Sequence, residues 1–190
     1  MKKKLISRLD NFWYYHKVHI LIALLALLIF VPALWDMVTA VQPDYSVAIV
    51  SQQYYEDAAI DRLQEALTGK ARDLNGDGRV LVTVMYYQVD LNQPAKNDTG
   101  VSALDGDLVA GKSGLFLLED PQTFQRASFA LTYLEGGDPP EESMELDKMV
   151  LPVSQVSGLR GLGFDALALG LRLNHPDGDV YRELLKNLMD

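Results

Sequence analysis

The chain of 190 residues contains no cysteine. Disulfides are therefore excluded, as are a thiolate nucleophile and a lipid attached through cysteine after the apolar segment. Histidine is nearly as scarce. His16 and His19 stand at the entrance of that segment, which leaves His175 as the one histidine in the rest of the chain. Histidine-rich metal sites fall by this count. No G-x-S-x-G motif, internal repeat or low-complexity tract is present. Basic residues are in deficit, 17 Lys and Arg against 26 Asp and Glu for a net charge of −9, which argues against nucleic acid as a partner.

Charge is also missing locally. From Val18 to Trp35 no residue is ionised, and Ile20 to Leu34 is apolar throughout. A helix over 18–35 would be about 27 Å long, close to the ~30 Å hydrocarbon core of a bilayer. Trp13, Tyr14, Tyr15 and Trp35 bracket the run as interfacial anchors do. Lys2, Lys3, Lys4, Arg8 and Lys17 precede it against the single acid Asp10, whereas acids predominate after it. The positive-inside rule then keeps residues 1–17 cytoplasmic and sends the body outside. Leu5, Ile6, Leu9, Phe12 and Trp13 fall at helical spacing among the basic residues, as in an interfacial helix on anionic lipid or in simple flanking sequence. The alternative to a retained anchor is a signal peptide cut after Val38-Thr39-Ala40, which would leave a secreted body.

Residues 36–43 form a connector, which reaches about 30 Å at most when extended. Residues 44–190 suffice for one extracytoplasmic domain with its own core. Strand patterns at Tyr45–Val50, Val80–Val89, Leu115–Leu118 and Phe164–Leu173 alternate with helical spacing over Glu56–Leu74, Val101–Ala110, the stretch after Pro121, and Asp179–Met189. A helix is the open alternative for Phe164–Leu173. Glu135–Asp147, with Gly136-Gly137 and Pro139-Pro140, reads as a loop. The alternation predicts an α/β domain with a mostly parallel sheet.

Three nucleotide- or cation-like motifs occur. Gly106-Asp107-Leu108-Val109-Ala110-Gly111-Lys112-Ser113 fits G-x-x-x-x-G-K-[ST], but a helix precedes it and a strand follows, the reverse of a phosphate loop. Gly161-Leu162-Gly163-Phe164-Asp165-Ala166 fits a dinucleotide fingerprint without the flanking strand and helix. Asp73-Leu74-Asn75-Gly76-Asp77-Gly78 matches the first half of a calcium loop, so Asp73, Asn75, Asp77 and the Arg79 carbonyl are the candidate Ca2+ ligands. The ninth and twelfth positions are Leu81 and Val84, which donate nothing. A helix-ending turn has the same composition. Tyr54, Tyr55, Tyr86 and Tyr87 fall near the ends of strands, where open α/β sheets bind ligands, and form a candidate aromatic patch for a ligand or partner. Glu141-Glu142 lies in the expected loop, and Asn97-Asp98-Thr99 is a formal glycosylation sequon.

The order strand, long helix, Val-rich strand, followed by Leu104 to Leu118 with its Ala110-Gly111 turn and immediate buried strand, resembles one lobe of the type II periplasmic solute-binding proteins over residues 45–133. The resemblance implies a single lobe; the chain is about half the length that two lobes need, so no clamshell closes within it. The expected protein is a single-pass, membrane-anchored binding or accessory module beside a membrane transporter or envelope protein. The alternative is a lobe that captures a small solute or metal ion. A hydrolase using carboxylates ranks third.

Overall fold

The computed structural model describes residues 17–19, 21–32, 42–93 and 98–190. Two compact units are present, residues 1–42 and Pro43–Asp190. In the first, residues 17–19 and 21–32 are helical, and Val18, Leu21, Ile22, Leu24, Leu25, Leu27, Leu28, Ile29, Phe30 and Val31 are all exposed. Among the described residues no helix is long and apolar enough to cross a membrane. The span expected over 18–35 includes residues 20 and 33–35, which lie outside the described residues. So do Lys2, Lys3, Lys4, Leu5, Ile6, Arg8, Leu9, Asp10, Phe12, the aromatic anchors Trp13, Tyr14, Tyr15 and Trp35, the Val38-Thr39-Ala40 cleavage pattern, and Asn97 of the sequon.

The second unit is an α/β domain built on one mixed sheet. In chain order its elements are β1 (Tyr45–Ser51), α1 (Asp57–Thr68), β2 (Val82–Gln88), α2 (Asp98–Ala110), β3 (Leu115–Leu118), α3 (Pro121–Ser128), β4 (Leu131–Thr132), α4 (Leu146–Met149), β5 (Val150–Pro152), a 3-10 turn at Val153–Gln155, β6 (Ala168–Arg172) and α5 (Gly178–Met189). The sheet runs β2-β1-β3-β6-β4, with β5 also paired to β6. β1 is parallel to both β2 and β3. The expectation of a mostly parallel sheet is corrected at β6, which lies antiparallel to β3, β4 and β5. A parallel neighbour needs a crossover, usually helical. Between β5 and β6 the chain makes only the 3-10 turn and loops, so it reverses direction beside its partner.

Each face of the sheet has its own core because successive strand residues point to opposite sides. Tyr45, Val47 and Ile49 with Val82 pack under Leu63 and Leu67 of α1 and Tyr181, Leu184, Leu185 and Leu188 of α5. Ala48, Val50, Phe116 and Leu118 pack on the other face under Leu104 of α2, Phe124 of α3 and Met149. The α5 residues stand at i, i+3, i+4 and i+7, the spacing that gives a helix one apolar stripe. α3 starts where Pro121 occupies the first turn and Asp120 Oδ1 accepts from Thr123 N at 2.9 Å. The 56–74 helix expected from spacing stops at Thr68, with Gly69 at its C-cap. β6 is shorter than Phe164–Leu173, and Phe164 is instead a fully buried core residue ahead of it.

Gly114 sits beneath α5: a Cβ there would stand 2.2 Å from Cε2 of Tyr181. The Tyr181 hydroxyl accepts from Ser46 N at 2.8 Å and donates to Ser46 O at 3.2 Å, tying α5 to the start of β1. Burial pushes its phenol up to about 12. Gly114→Ala is expected to cost about 1–3 kcal/mol through overpacking, read as a lower urea midpoint with an unchanged slope.

Candidate functional site

At a topological switch point in an open α/β sheet, ligands bind beyond the carboxyl ends of the strands. Here β1 is flanked by β2 on one side and β3 on the other, and their carboxyl ends frame a cleft of about 270 Å³. Ser51 at the end of β1 and Gln52 after it, Asp90, Leu91 and Asn92 after β2, and Glu119 and Asp120 after β3 line it.

Glu119 bridges the strand ends. Its Oε2 accepts from Ser51 Oγ at 2.6 Å and from Gln52 N at 2.7 Å, and its Oε1 lies 3.4 Å from the side-chain amides of Gln52 and Gln53. Asp120 accepts from Thr123 Oγ1 at 2.7 Å and Asn92 Nδ2 at 3.2 Å besides capping α3. Asp90 Oδ1 accepts from Asn92 N at 3.0 Å. Burial works against ionisation of Glu119 and Asp120, but these donors together outweigh it and hold both carboxyls below their ordinary values. Both are therefore ionised at neutral pH, and neither offers the proton that a general acid must donate. The α3 N-terminus, where an anion would otherwise be welcome, is occupied by Asp120. The cleft can hold a small group carrying N–H or O–H donors or positive charge, and it repels phosphate.

The aromatic patch divides. Tyr54 is 73% exposed, while Tyr55 is buried, stacked on Phe164 at 4.8 Å and edge-on to Tyr86 at 5.8 Å. Tyr86 donates its hydroxyl hydrogen to Gln53 O. Tyr87 points to the opposite face and donates to Asp107 Oδ2 at 2.8 Å. The structure thus joins Tyr55 and Tyr86 in packing and leaves Tyr54 and Tyr87 apart.

In the 73–79 loop the oxygens proposed for calcium are turned onto the backbone. Asp73 Oδ1 accepts from Gly76 N at 2.6 Å and its Oδ2 from Gly78 N at 2.8 Å. Asn75 Oδ1 accepts from Asp77 N, and Asp77 Oδ1 from Arg79 N. Gly76 and Gly78 take the positive φ angles of 74° and 79° that the bends require. Asp44, which sequence reasoning missed, fastens this loop: Oδ1 accepts from Leu74 N and Asn75 N, and Oδ2 from Leu81 N. Asp44 is adjacent to β1 but 30 residues from the loop in sequence, so no local signal announces it. Among the described residues no three His, Asp or Glu side chains are grouped to hold a metal ion.

The phosphate-loop expression occupies the end of α2 and the turn into β3, helix before and strand after. Its Asp107 and Ser113 form a buried pair instead. Asp107, 2% exposed, accepts from Ser113 N at 3.0 Å, Ser113 Oγ at 2.5 Å and Tyr87. Arg172 Nη1 lies 3.9 Å from Asp107 Oδ1, and Nη2 donates to Leu108 O. Burial first, then the hydrogen bond and charge of Asp107, push the Tyr87 phenol far up. Gly161 and Gly163 of the dinucleotide-like run make a turn in which Gly161 N donates to Asp165, and no strand-to-helix junction forms there. His175 accepts from Asp177 N at 3.1 Å and packs edge-on to Tyr181; burial lowers its pKa. Glu141 and Glu142 are exposed in the 135–147 turns.

None of the family models, curated proteins or solved structures compared with this chain matches it.

Three outcomes are expected. Asp107→Ala should cost about 3–5 kcal/mol, since it strands a buried cation and three donors, whereas Tyr87→Phe should cost about 1 kcal/mol; chemical denaturation reads both. Asp44→Asn should destabilise by about 1–2 kcal/mol at pH 7. Burial works against ionisation of Asp44, but the Leu81, Leu74 and Asn75 amides together outweigh it and hold the carboxyl below its ordinary value, so its contribution is complete above about pH 4 and lost as pH falls through the folded value. The gap between parent and variant should therefore close in acid. Calorimetry with added calcium on the parent and on Asp77→Ala should give no heat from either, as expected for oxygens that close turns.

Proposed function

We propose that this chain is a membrane-anchored extracytoplasmic module that binds or supports a partner in the same membrane. The observation that carries the reading is the exposure of every large apolar side chain from Leu21 to Val31, on all sides of one helix. A helix apolar all round is stable only when surrounded by lipid or by a large protein core. The uncharged run continues to Trp35 in sequence, and the basic residues before it favour an N-terminus kept in the cytoplasm. The acidic unit Pro43–Asp190 has its own two-faced core, which suits a domain folded outside and held on a short connector.

A second reading is favoured by the cleft at the β1–β3 switch point: a solute-binding lobe that takes a small cationic or donor-rich group. The likeness to one lobe of a type II solute-binding protein agrees with the parallel β2-β1-β3 arrangement and with the position of that cleft. A catalytic reading has little support, because Glu119 and Asp120 of the cleft are held below their ordinary values and already engaged.

Alkaline carbonate extraction and external protease treatment of cells test the anchor. The chain should stay with the membranes, and protease should remove the domain while sparing the N-terminus. A freely released chain whose mature N-terminus begins after Ala40 would overturn the reading. A thermal-shift screen with small cations and amines, compared between the parent and Glu119→Gln, reads the second one.

A further inference from the structure

The turn that leads from β6 into α5 is held by one imidazole. Every helix begins with backbone N–H groups that have no carbonyl one turn earlier to accept them. Asp177 stands at the N-cap of α5, where an aspartate commonly accepts such an N–H, yet its side chain makes no capping hydrogen bond. His175 takes that part from two residues earlier. Its Nδ1 accepts from Asp177 N at 3.1 Å, and its carbonyl accepts from Gly178 N at 3.0 Å. The same two-residue step helps close the 73–79 loop, where Asn75 Oδ1 accepts from Asp77 N. An amide oxygen keeps its lone pairs at any pH, whereas an imidazole nitrogen accepts only while it carries no proton.

The surroundings of the ring make that difference count. It is half-buried and packs edge-on to the ring of Tyr181, with centroids 4.9 Å apart, and the Tyr181 hydroxyl ties α5 to Ser46 of β1. Desolvation is the largest influence on the imidazole and holds its pKa below the ordinary value. Asp177 of the same turn, the Lys112 carbonyl and Asp107 of α2 favour a proton, while Arg172 of β6 opposes one. Asp179 in the first helical turn pairs with Arg182 at 2.7 Å. A cation at this end of α5 also meets the positive pole of the helix. A cleft of about 230 Å³, lined in part by His175, Gly178 and Asp179, opens beside the turn and admits water to it.

We infer that His175 is an acid-operated latch on α5: a proton on Nδ1 turns the acceptor of the Asp177 amide into a donor, and the turn from His175 to Gly178 opens together with the first turn of the helix. Two N–H donors cannot share one hydrogen bond, so the closed turn and the protonated ring exclude each other. Above the ordinary histidine range the ring is neutral and the latch is shut. As pH falls through that range, the open turn takes up the proton more readily than the closed one. The stabilising effect of the latch is therefore complete above about pH 6.5 and is lost as pH falls from there towards the lowered folded value. In acid α5 loosens where Tyr181 meets the start of β1. The device needs nothing from the N-terminal helix or from the carboxylate cleft, so it stands apart from either functional reading.

The scarcity of histidine makes the test direct. Full-length chain carrying His16→Gln and His19→Gln keeps His175 as its one histidine, so an NMR titration in detergent reads that ring alone. Its midpoint should lie below the ordinary histidine value. Amide hydrogen exchange over residues 177–181 is then compared between about pH 7.5 and about pH 5, each against the unfolded chain at the same pH. Protection should fall in acid, by up to about tenfold for each unit by which the midpoint is lowered. In His175→Asn the side-chain oxygen accepts the Asp177 amide at either pH, so protection should be the same at both. A midpoint at or above the ordinary value, protection that does not change between the two pH values, or an equal acid loss in His175→Asn would overturn the latch. The titration and the exchange of the chain that retains His175 decide the matter even if His175→Asn does not fold.

Discussion

Strand β1 is the constraint on which the remainder of the domain depends. Val47, Ala48 and Ile49 are fully buried, and the strand has a neighbour on each edge and a core on each face. Its backbone groups divide between β2 and β3 by the parity of the residue number. At Ser46 the carbonyl accepts from Gly114 N, just ahead of β3, while the amide is taken by the Tyr181 hydroxyl. Together with the packed Leu184, Leu185 and Leu188, the Tyr181 hydroxyl fastens α5 over the sheet, and Gly114 keeps the space the tyrosine ring needs. Burying so many amides in one strand is tolerable only because each has a partner.

The polar interior follows the same rule. Asp107 is a buried carboxylate whose desolvation is offset by Ser113, Tyr87 and the nearby Arg172. These residues come from α2, the turn before β3, β2 and β6, so one carboxylate holds four parts of the chain in a fixed relation. At the other end of the sheet Glu119 does the same for β1 and β3, with its oxygens at the mouth of the cleft. Both carboxylates stabilise the fold, and the second also sets the sign of charge that the cleft can accept.

Much of the fold was legible in the residues. The helical spacing of Leu63 and Leu67, and of Val180, Leu184, Leu185 and Leu188, and the dense apolar runs of β1 and β3, each report a local pattern that packing then uses. The phosphate-loop and dinucleotide-like patterns were also readable as turns, because their flanking elements stand in the wrong order. Other features had no local trace. β4 and β5 are too short to show a period. The antiparallel course of β6 depends on how the chain returns after the 3-10 turn. Asp44, Asp107 and Glu119 are ordinary acids in sequence, and only their distant donors distinguish them. The four tyrosines look alike as pairs, yet strand alternation sends Tyr86 and Tyr87 to opposite faces.

By itself, then, the sequence determined the alternation of strands and helices, the acidic domain, the uncharged run ahead of it and the absence of thiol chemistry. These are properties of composition and short-range spacing, which need no knowledge of what meets what. Tertiary structure alone decided the mixed sense of the sheet, the carboxylate cleft at the ends of β1 and β3 and the buried Asp107 cluster. Each of those depends on contacts between residues far apart in the chain, and burial of a polar group becomes informative only when its partner is in place.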